Sequence, residues 1–423
     1  MKGRLIAACL LAVLTAGCGL RAGADSANTL HFVGPEDPKT FQPVIDGFQA
    51  RHPGVKVDYS QIPFDTLNST LQQRLAAGDD GIDVYTVDQP RVSALAARGF
   101  LADLSAWKDR VKQAALPAQY EVNEHRGKLW SVPIWTSDQF LFYNKTLLKK
   151  AGVEPPSSDP AKRWTWEQTA EAGRKTQELG GAQWALIPEQ IEQYYQLQSL
   201  PESLGGGSGV TGPDMLTPAL TTDGWIKAMT WYRDLFTQGL APRGVGSFQT
   251  SPLFAEGKVA FLAGGPWNVG TLAGSKDVDW GVAPYPYFAG GRQVTPTGSW
   301  SWGINPASKK QRLARAFLEY AALDPEGNLL TTKATTVIPA NRAAFERYLP
   351  TLEALGGDNS AGVSTIMTYD ADHTAVARPR SVGYIQFEDI MTKTFADIRN
   401  GADPRARLTQ ATQQVTTAWD RLR

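Results

Sequence analysis

From Leu30 onward the apolar positions alternate between two periods. Leu30 to Val33 is a short apolar run, and Phe41, Val44, Ile45 and Phe48 then fall on one helix face that His52-Pro53-Gly54 ends. Val55, Val57 and Tyr59 alternate as a strand, Leu67, Leu71 and Leu75 mark a second helix stopping near Gly78, and Ile82 to Val87 is a third strand. Asp88-Gln89-Pro90 leads into a helix around Val92 to Ala97. Strand, helix, strand, helix, strand predicts a doubly wound α/β unit, in which ligands sit beyond the carboxyl ends of the strands. That rule selects Glu36, Asp37 and Asp88, although a carboxylate in such a place serves equally as a helix N-cap.

Lys128 to Ile134 and Phe140 to Tyr143 read as crossing strands with Trp135-Thr136-Ser137-Asp138 between them. A helix opens at Asn144-Lys145 and ends near Ala151-Gly152, Pro155 to Pro160 is a linker, and Thr165 with Gln168 predicts a capping box. Helices recur at Trp225 to Phe236, Gln311 to Leu323, Phe387 to Ile398 and Arg405 to Leu422, with strands at Val259 to Ala263, Trp280 to Ala283 and Ser301 to Ile304. The expected organisation is an N-terminal α/β lobe over 30–140, a second α/β lobe over 141–345, and a C-terminal helical segment, 346–423, returning across both.

Phe254 to Asn268 stands out within the second lobe. Its apolar run follows a turn at Gly257 and stops at Gly264-Gly265-Pro266, as a buried strand ends. Trp267 and Asn268 come next. A flat indole and an amide at a strand end can cover the apolar face of a ligand and hydrogen-bond its edge, although a Trp there can also plug a core. Trp135 and Trp300 sit at comparable strand-end loops, and Thr297-Gly298-Ser299 offers close backbone donors beside Trp300. Trp164, Trp231 and Trp419 fall within helical patterns and read as packing.

Composition narrows the chemistry. The 423 residues suit two large lobes, and 42 basic residues balance 42 acidic ones, so no overall field favours nucleic acid. Lys2 and Arg4 precede an apolar run, Leu5 to Leu14, too short to span a bilayer but suited to a signal peptide. Leu14-Thr15-Ala16-Gly17-Cys18 looks like a bacterial lipobox, which predicts a signal segment over 1–17, lipidation of Cys18 and a short polar tether over 18–29. Cys9 would leave with the signal, so neither a disulfide nor a thiolate metal site is expected. The four histidines show no metal spacing, and the Gly-rich run Gly205 to Gly209 does not fit a phosphate-cradling loop. Carboxylates are plentiful, but nothing in their spacing nominates a glycosidase pair.

The order Phe140-Leu-Phe-Tyr-Asn-Lys-Thr-Leu-Leu-Lys-Lys-Ala-Gly-Val-Glu-Pro, Trp164-Thr-Trp-Glu-Gln, then Phe254-Ala-Glu-Gly-Lys-Val-Ala-Phe and Gly265-Pro-Trp resembles the extracellular solute-binding protein family 1 of ABC importers. Trp135 and Phe140 are larger than the residues common at those places in that family. The resemblance implies a two-lobed periplasmic-binding-protein ("Venus flytrap") fold, each lobe a doubly wound sheet flanked by helices. It implies no reaction and no cofactor, and names as partners a small carbohydrate and the membrane permease, with a lipid anchor at the outer face of the bacterial cytoplasmic membrane. By resemblance the ligand-contacting loops are those of Glu36 and Asp37, Asp88, Trp135 to Asp138 including Ser137, Gly265 to Asn268, and Gly298, Ser299 and Trp300. Arg378 and Arg380 could line the cleft, where a guanidinium would bind a hydroxyl pair or a phosphate. A glycerophosphodiester or other phosphorylated polyol is therefore the alternative ligand to a sugar, and an exported carbohydrate-active hydrolase is the competing class.

Overall fold

The computed structural model describes residues 27–422 apart from Asp214 and Ser299, with Asp65 and Phe248 described in backbone only. Cys18, the signal segment and most of the tether lie outside the described residues. Two sheets organise the rest. In the first, β1 (Thr29–Gly34) pairs in parallel with β2 (Lys56–Gln61) and β3 (Val84–Asp88). Their connections are α1 (Pro38–Arg51) and α2 (Phe64–Ala76), whose apolar stripes cover the two faces of the sheet. The predicted Lys128 to Ile134 strand is broken, and only β4 (Val132–Pro133) joins this sheet.

The second sheet contains β5 (Phe140–Asn144), β6 (Trp184–Pro188), β7 (Val259–Gly264) and β8 (Trp280–Pro284), in the order β8-β5-β7-β6. β7 runs parallel to β6 and antiparallel to β5. All six residues of β7 are buried, which is why it reads as a continuous apolar run and not as an alternation. The expected capping box forms: Thr165 caps the helix Trp166–Gly180, and Gln168 returns the bond to the Thr165 backbone.

The expected boundaries change in two places. Strand β9 (Trp300–Ile304) belongs to the first sheet, inserted antiparallel between β3 and β4, with Trp300 opposite Asp88 and Trp302 opposite Val132. The helix Gln311–Leu318 follows it and buries Phe317 against the first lobe. Residues 300–330 therefore extend the first lobe and not the second. The C-terminal helices Tyr384–Arg399 and Pro404–Trp419 pack into the core on one face of the second sheet, and Arg342–Leu355 with Val363–His373 covers the other face. This segment is thus part of the second lobe, touching the first mainly through side chains at the junction. Where the chain crosses between lobes, short pairings brace it: Trp135–Thr136 with Ile338–Pro339, and Thr295–Pro296 with Ala375–Val376. Among the described residues no helix is long and apolar enough to cross a membrane.

Candidate functional site

The second lobe's contribution is built on Glu189, immediately after β6. Its carboxylate accepts hydrogen bonds from the Trp267 indole Nε1 (2.5 Å), the Gly265 backbone N–H (3.0 Å), Asn268 Nδ2 (2.9 Å) and Ser251 Oγ (2.9 Å). Burial raises the Glu189 carboxyl above its ordinary value, and these donors oppose the rise. The Trp267 loop is a helix start, Trp267–Ala273 with Pro266 at its N-cap, so the indole projects from a fixed turn. Gly265 is required beneath it: a Cβ there would lie 2.2 Å from the indole Cη2. Trp267 keeps part of its surface open, whereas Asn268 is buried and also bonds the Gly265 carbonyl. Asn268 is accordingly a support of the turn and not a ligand contact.

At the junction, Asp88 at the end of β3 takes a bidentate grip from Arg378, Nη2 to Oδ1 at 2.5 Å and Nη1 to Oδ2 at 3.2 Å. Arg91 lies 3.4 Å from Asp88 and bonds Glu388, whose other oxygen accepts the Tyr384 hydroxyl at 2.9 Å and lies 3.5 Å from Arg378. Burial alone would depress the Arg378 pKa, but the Asp88, Tyr384 and Glu388 charges hold it above its ordinary value. The guanidinium carbon also sits 5.2 Å from the Tyr195 ring centroid. Two carboxylates thus face two guanidiniums, with Asp88 and Arg91 from the first lobe and Arg378 and Glu388 from the second.

Ser137 and Gly298 complete this junction. Ser137 Oγ donates to the Gly298 carbonyl at 3.0 Å, which leaves the Tyr195 hydroxyl, 2.6 Å away, to donate to Ser137 Oγ. A Cβ built on Gly298 would reach 3.5 Å from the Tyr195 ring and 3.6 Å from Arg378 Nη2, so the backbone passes close to both. Thr297 Oγ1 donates to the Ser137 carbonyl at 2.7 Å, tying the two crossing segments together.

The other expected residues are placed as follows. Trp300 is half-buried beside Asp88, its cross-strand partner. Glu36 is half-buried after β1, its carboxyl raised by burial and its carbonyl accepting the Tyr59 hydroxyl. Asp37 is exposed and caps α1 through the Lys39 N–H, which is the N-cap alternative. Trp135, at 1% exposure, is a core residue of the first lobe, stacked on Phe41 with its Nε1 bonded to Thr331 Oγ1; this corrects its expected place in the cleft. Asp138 is buried behind the crossing strands, where burial and the nearby Asp370 raise its carboxyl well above the ordinary range. Arg380 turns outward to the Glu121 carbonyl at 2.6 Å, so Arg378 is the arginine that faces inward. Ser299 lies outside the described residues.

Glu189, Tyr195, Arg91 and Glu388 escape the sequence reading. Glu189 follows a strand, so the rule that selects Asp88 applies to it; the other three lie within helices or turns that carry no such signal.

A family model described as bacterial extracellular solute-binding protein matches residues 34–327. A maltodextrin-binding protein of Bacillus subtilis (strain 168) is 27% identical over 63% of this chain and 62% of its own length. A galactooligosaccharide-binding protein of the same organism is 25% identical over 66% and 64%. The match therefore spans less than two thirds of these relatives. Among solved structures, the GacH receptor of Streptomyces glaucescens, determined unliganded and with acarbose, has a TM-score of 0.77 at 23% identity, covering 93% of this chain and 98% of that one. A substrate-binding protein of Listeria monocytogenes in complex with cycloalternan gives 0.78 at 21% identity, covering 92% and 98%. At these identities the likeness is one of fold.

Proposed function

We propose that this chain, which belongs to the bacterial extracellular solute-binding protein family, captures a sugar or oligosaccharide between its lobes and delivers it to the permease of an ABC importer. The observation that carries the reading is the Asp88–Arg378 contact, which joins a strand end of one lobe to the other lobe beside Trp300 and Tyr195. Paired charges present both acceptors and donors, and indole faces accept the C–H surface of a sugar ring. Because each guanidinium is balanced by a carboxylate, the cluster favours an uncharged ligand over a phosphorylated polyol. Relatives named for maltodextrin and galactooligosaccharide support the same choice. Lipidation of Cys18 would hold the protein at the outer face of the membrane, near its permease.

A thermal-shift screen of the purified protein against mono-, di- and oligosaccharides and glycerophosphodiesters tests this. Stabilisation by an oligosaccharide recovered unchanged is the expected result. Turnover of that ligand would establish the hydrolase instead, and a response confined to phosphodiesters would reverse the choice of ligand.

A further inference from the structure

We propose that Phe64 and Trp300 form a second ring-stacking subsite on the first lobe, so that the ligand is an oligosaccharide extending from the Asp88–Arg378 pair outward along the strand ends. The inference rests on the reading of the cleft as a carbohydrate site and adds a residue, a direction and a minimum length to it.

Phe64 opens α2 directly after Pro63 and the carboxyl end of β2. It lies three residues before Leu67, and so continues the stripe of Leu67, Leu71 and Leu75 that α2 buries against the sheet. Those leucines are covered, but Phe64 reaches past the sheet edge and is 53% exposed. The exposed large hydrophobic side chains among the described residues are Phe64, Leu179, Leu355 and Leu422, and Phe64 is the aromatic one. Its ring meets Trp300 edge to face, centroids 5.8 Å apart and planes at 82°. Trp300 in turn stands directly across the strand pair from Asp88, and residues so paired project from the same face of a sheet.

These contacts form one continuous row: open aromatic, half-buried indole, carboxylate, guanidinium. A sugar chain has that same alternation of apolar ring faces and hydroxyl edges. A phenyl ring held open at the end of an otherwise buried stripe gains apolar burial only when something covers it, and a stacked hexose ring is a cover of the right chemistry beside the polar pair. A single sugar ring gripped at Asp88–Arg378 would leave Phe64 open; an additional ring along the row would close it.

The test is titration calorimetry of the wild type, Phe64→Ala and Phe64→Tyr with two ladders, maltose to maltohexaose and a galactobiose to galactotetraose series. In the ladder that binds, Phe64→Ala is expected to lower affinity for the longest member about tenfold while leaving the disaccharide within about twofold, and Phe64→Tyr to restore the wild-type dependence on length. Equal losses at every length, or no loss at any, would overturn the subsite while leaving the cleft a sugar site. A wild type that binds neither ladder but does bind a glycerophosphodiester would overturn both readings together.

Discussion

The indole N–H of Trp267 is held by the carboxylate of Glu189 at 2.5 Å, although 78 residues separate them in the chain. An indole on a turn would otherwise sample several rotamers, each of which a ligand must select against. Here one acidic side chain fixes the ring, the backbone of Gly265 and the amide of Asn268 at once. The recognition surface is therefore preformed, and a ligand need not order it.

Replacing Glu189 with Gln keeps the shape but turns an NH₂ toward donors that have lost their shared acceptor. Ligand affinity is expected to fall about tenfold, with a red shift of tryptophan emission as the indole loosens. Calorimetry and fluorescence on the same samples check both; unchanged affinity with a shifted emission would mean that the ligand does not use Trp267.

Trp135 and Trp267 separate packing from recognition. Trp135→Ala should cost about 3–5 kcal/mol in denaturant unfolding, since it empties a fully covered site against Phe41. Trp267→Ala should leave the melting temperature nearly unchanged and abolish most ligand affinity. A Trp267 variant that binds normally would restore the packing interpretation of that residue.

Arg378→Met strands Asp88 and Glu388 against Arg91 alone in a buried cluster, and should destabilise the protein by about 3 kcal/mol or more. Arg380→Ala removes only an exposed contact with the Glu121 carbonyl, and its effect should stay within about 0.5 kcal/mol. Chemical denaturation curves of the two variants give the comparison, and similar midpoints would contradict the inward assignment of Arg378.

A pH effect is expected away from the cleft. Burial pushes the Glu202 carboxyl from 4.5 up to about 7, against the pull of Arg292 at 2.8 Å. A raised pKa means the folded state holds the proton more tightly than the unfolded one. The associated stability is full below about 4.5 and is lost as pH rises through about 7, by on the order of 3 kcal/mol at most. Glu202→Gln should remove that slope in unfolding free energy measured from pH 4 to pH 8. An identical slope in the variant would place the titration elsewhere.

Much of the first lobe was legible because its strands and helices alternate with clean periods, and the Thr165–Gln168 capping box declared itself through spacing alone. The strand at Trp300–Ile304 was legible as a strand, but period does not reveal which sheet a strand joins, and its partners lie more than 160 residues earlier. The helix Arg342–Leu355 escaped because Pro350 lies within it and Gly356-Gly357 follows. At the site, strand-end logic found Asp88 and the Trp267 turn. It assigned Trp135 to the cleft because sequence does not distinguish an aromatic facing a ligand from one facing Phe41. The inward arginine was likewise one of two, and only the placement of Asp88 separates Arg378 from Arg380.

The insertion of Trp300–Ile304 between Val84–Asp88 and Val132–Pro133 also sets a timetable for synthesis. A chain elongating from its N-terminus makes the neighbours of that strand first and the strand itself only after the whole second sheet has been produced. Until then the early half carries an open strand edge that any other extended segment could occupy. No single truncation releases one lobe with its sheet complete, so the two halves mature together, and the edge of Val84–Asp88 is where a stalled or clipped chain would begin to associate wrongly.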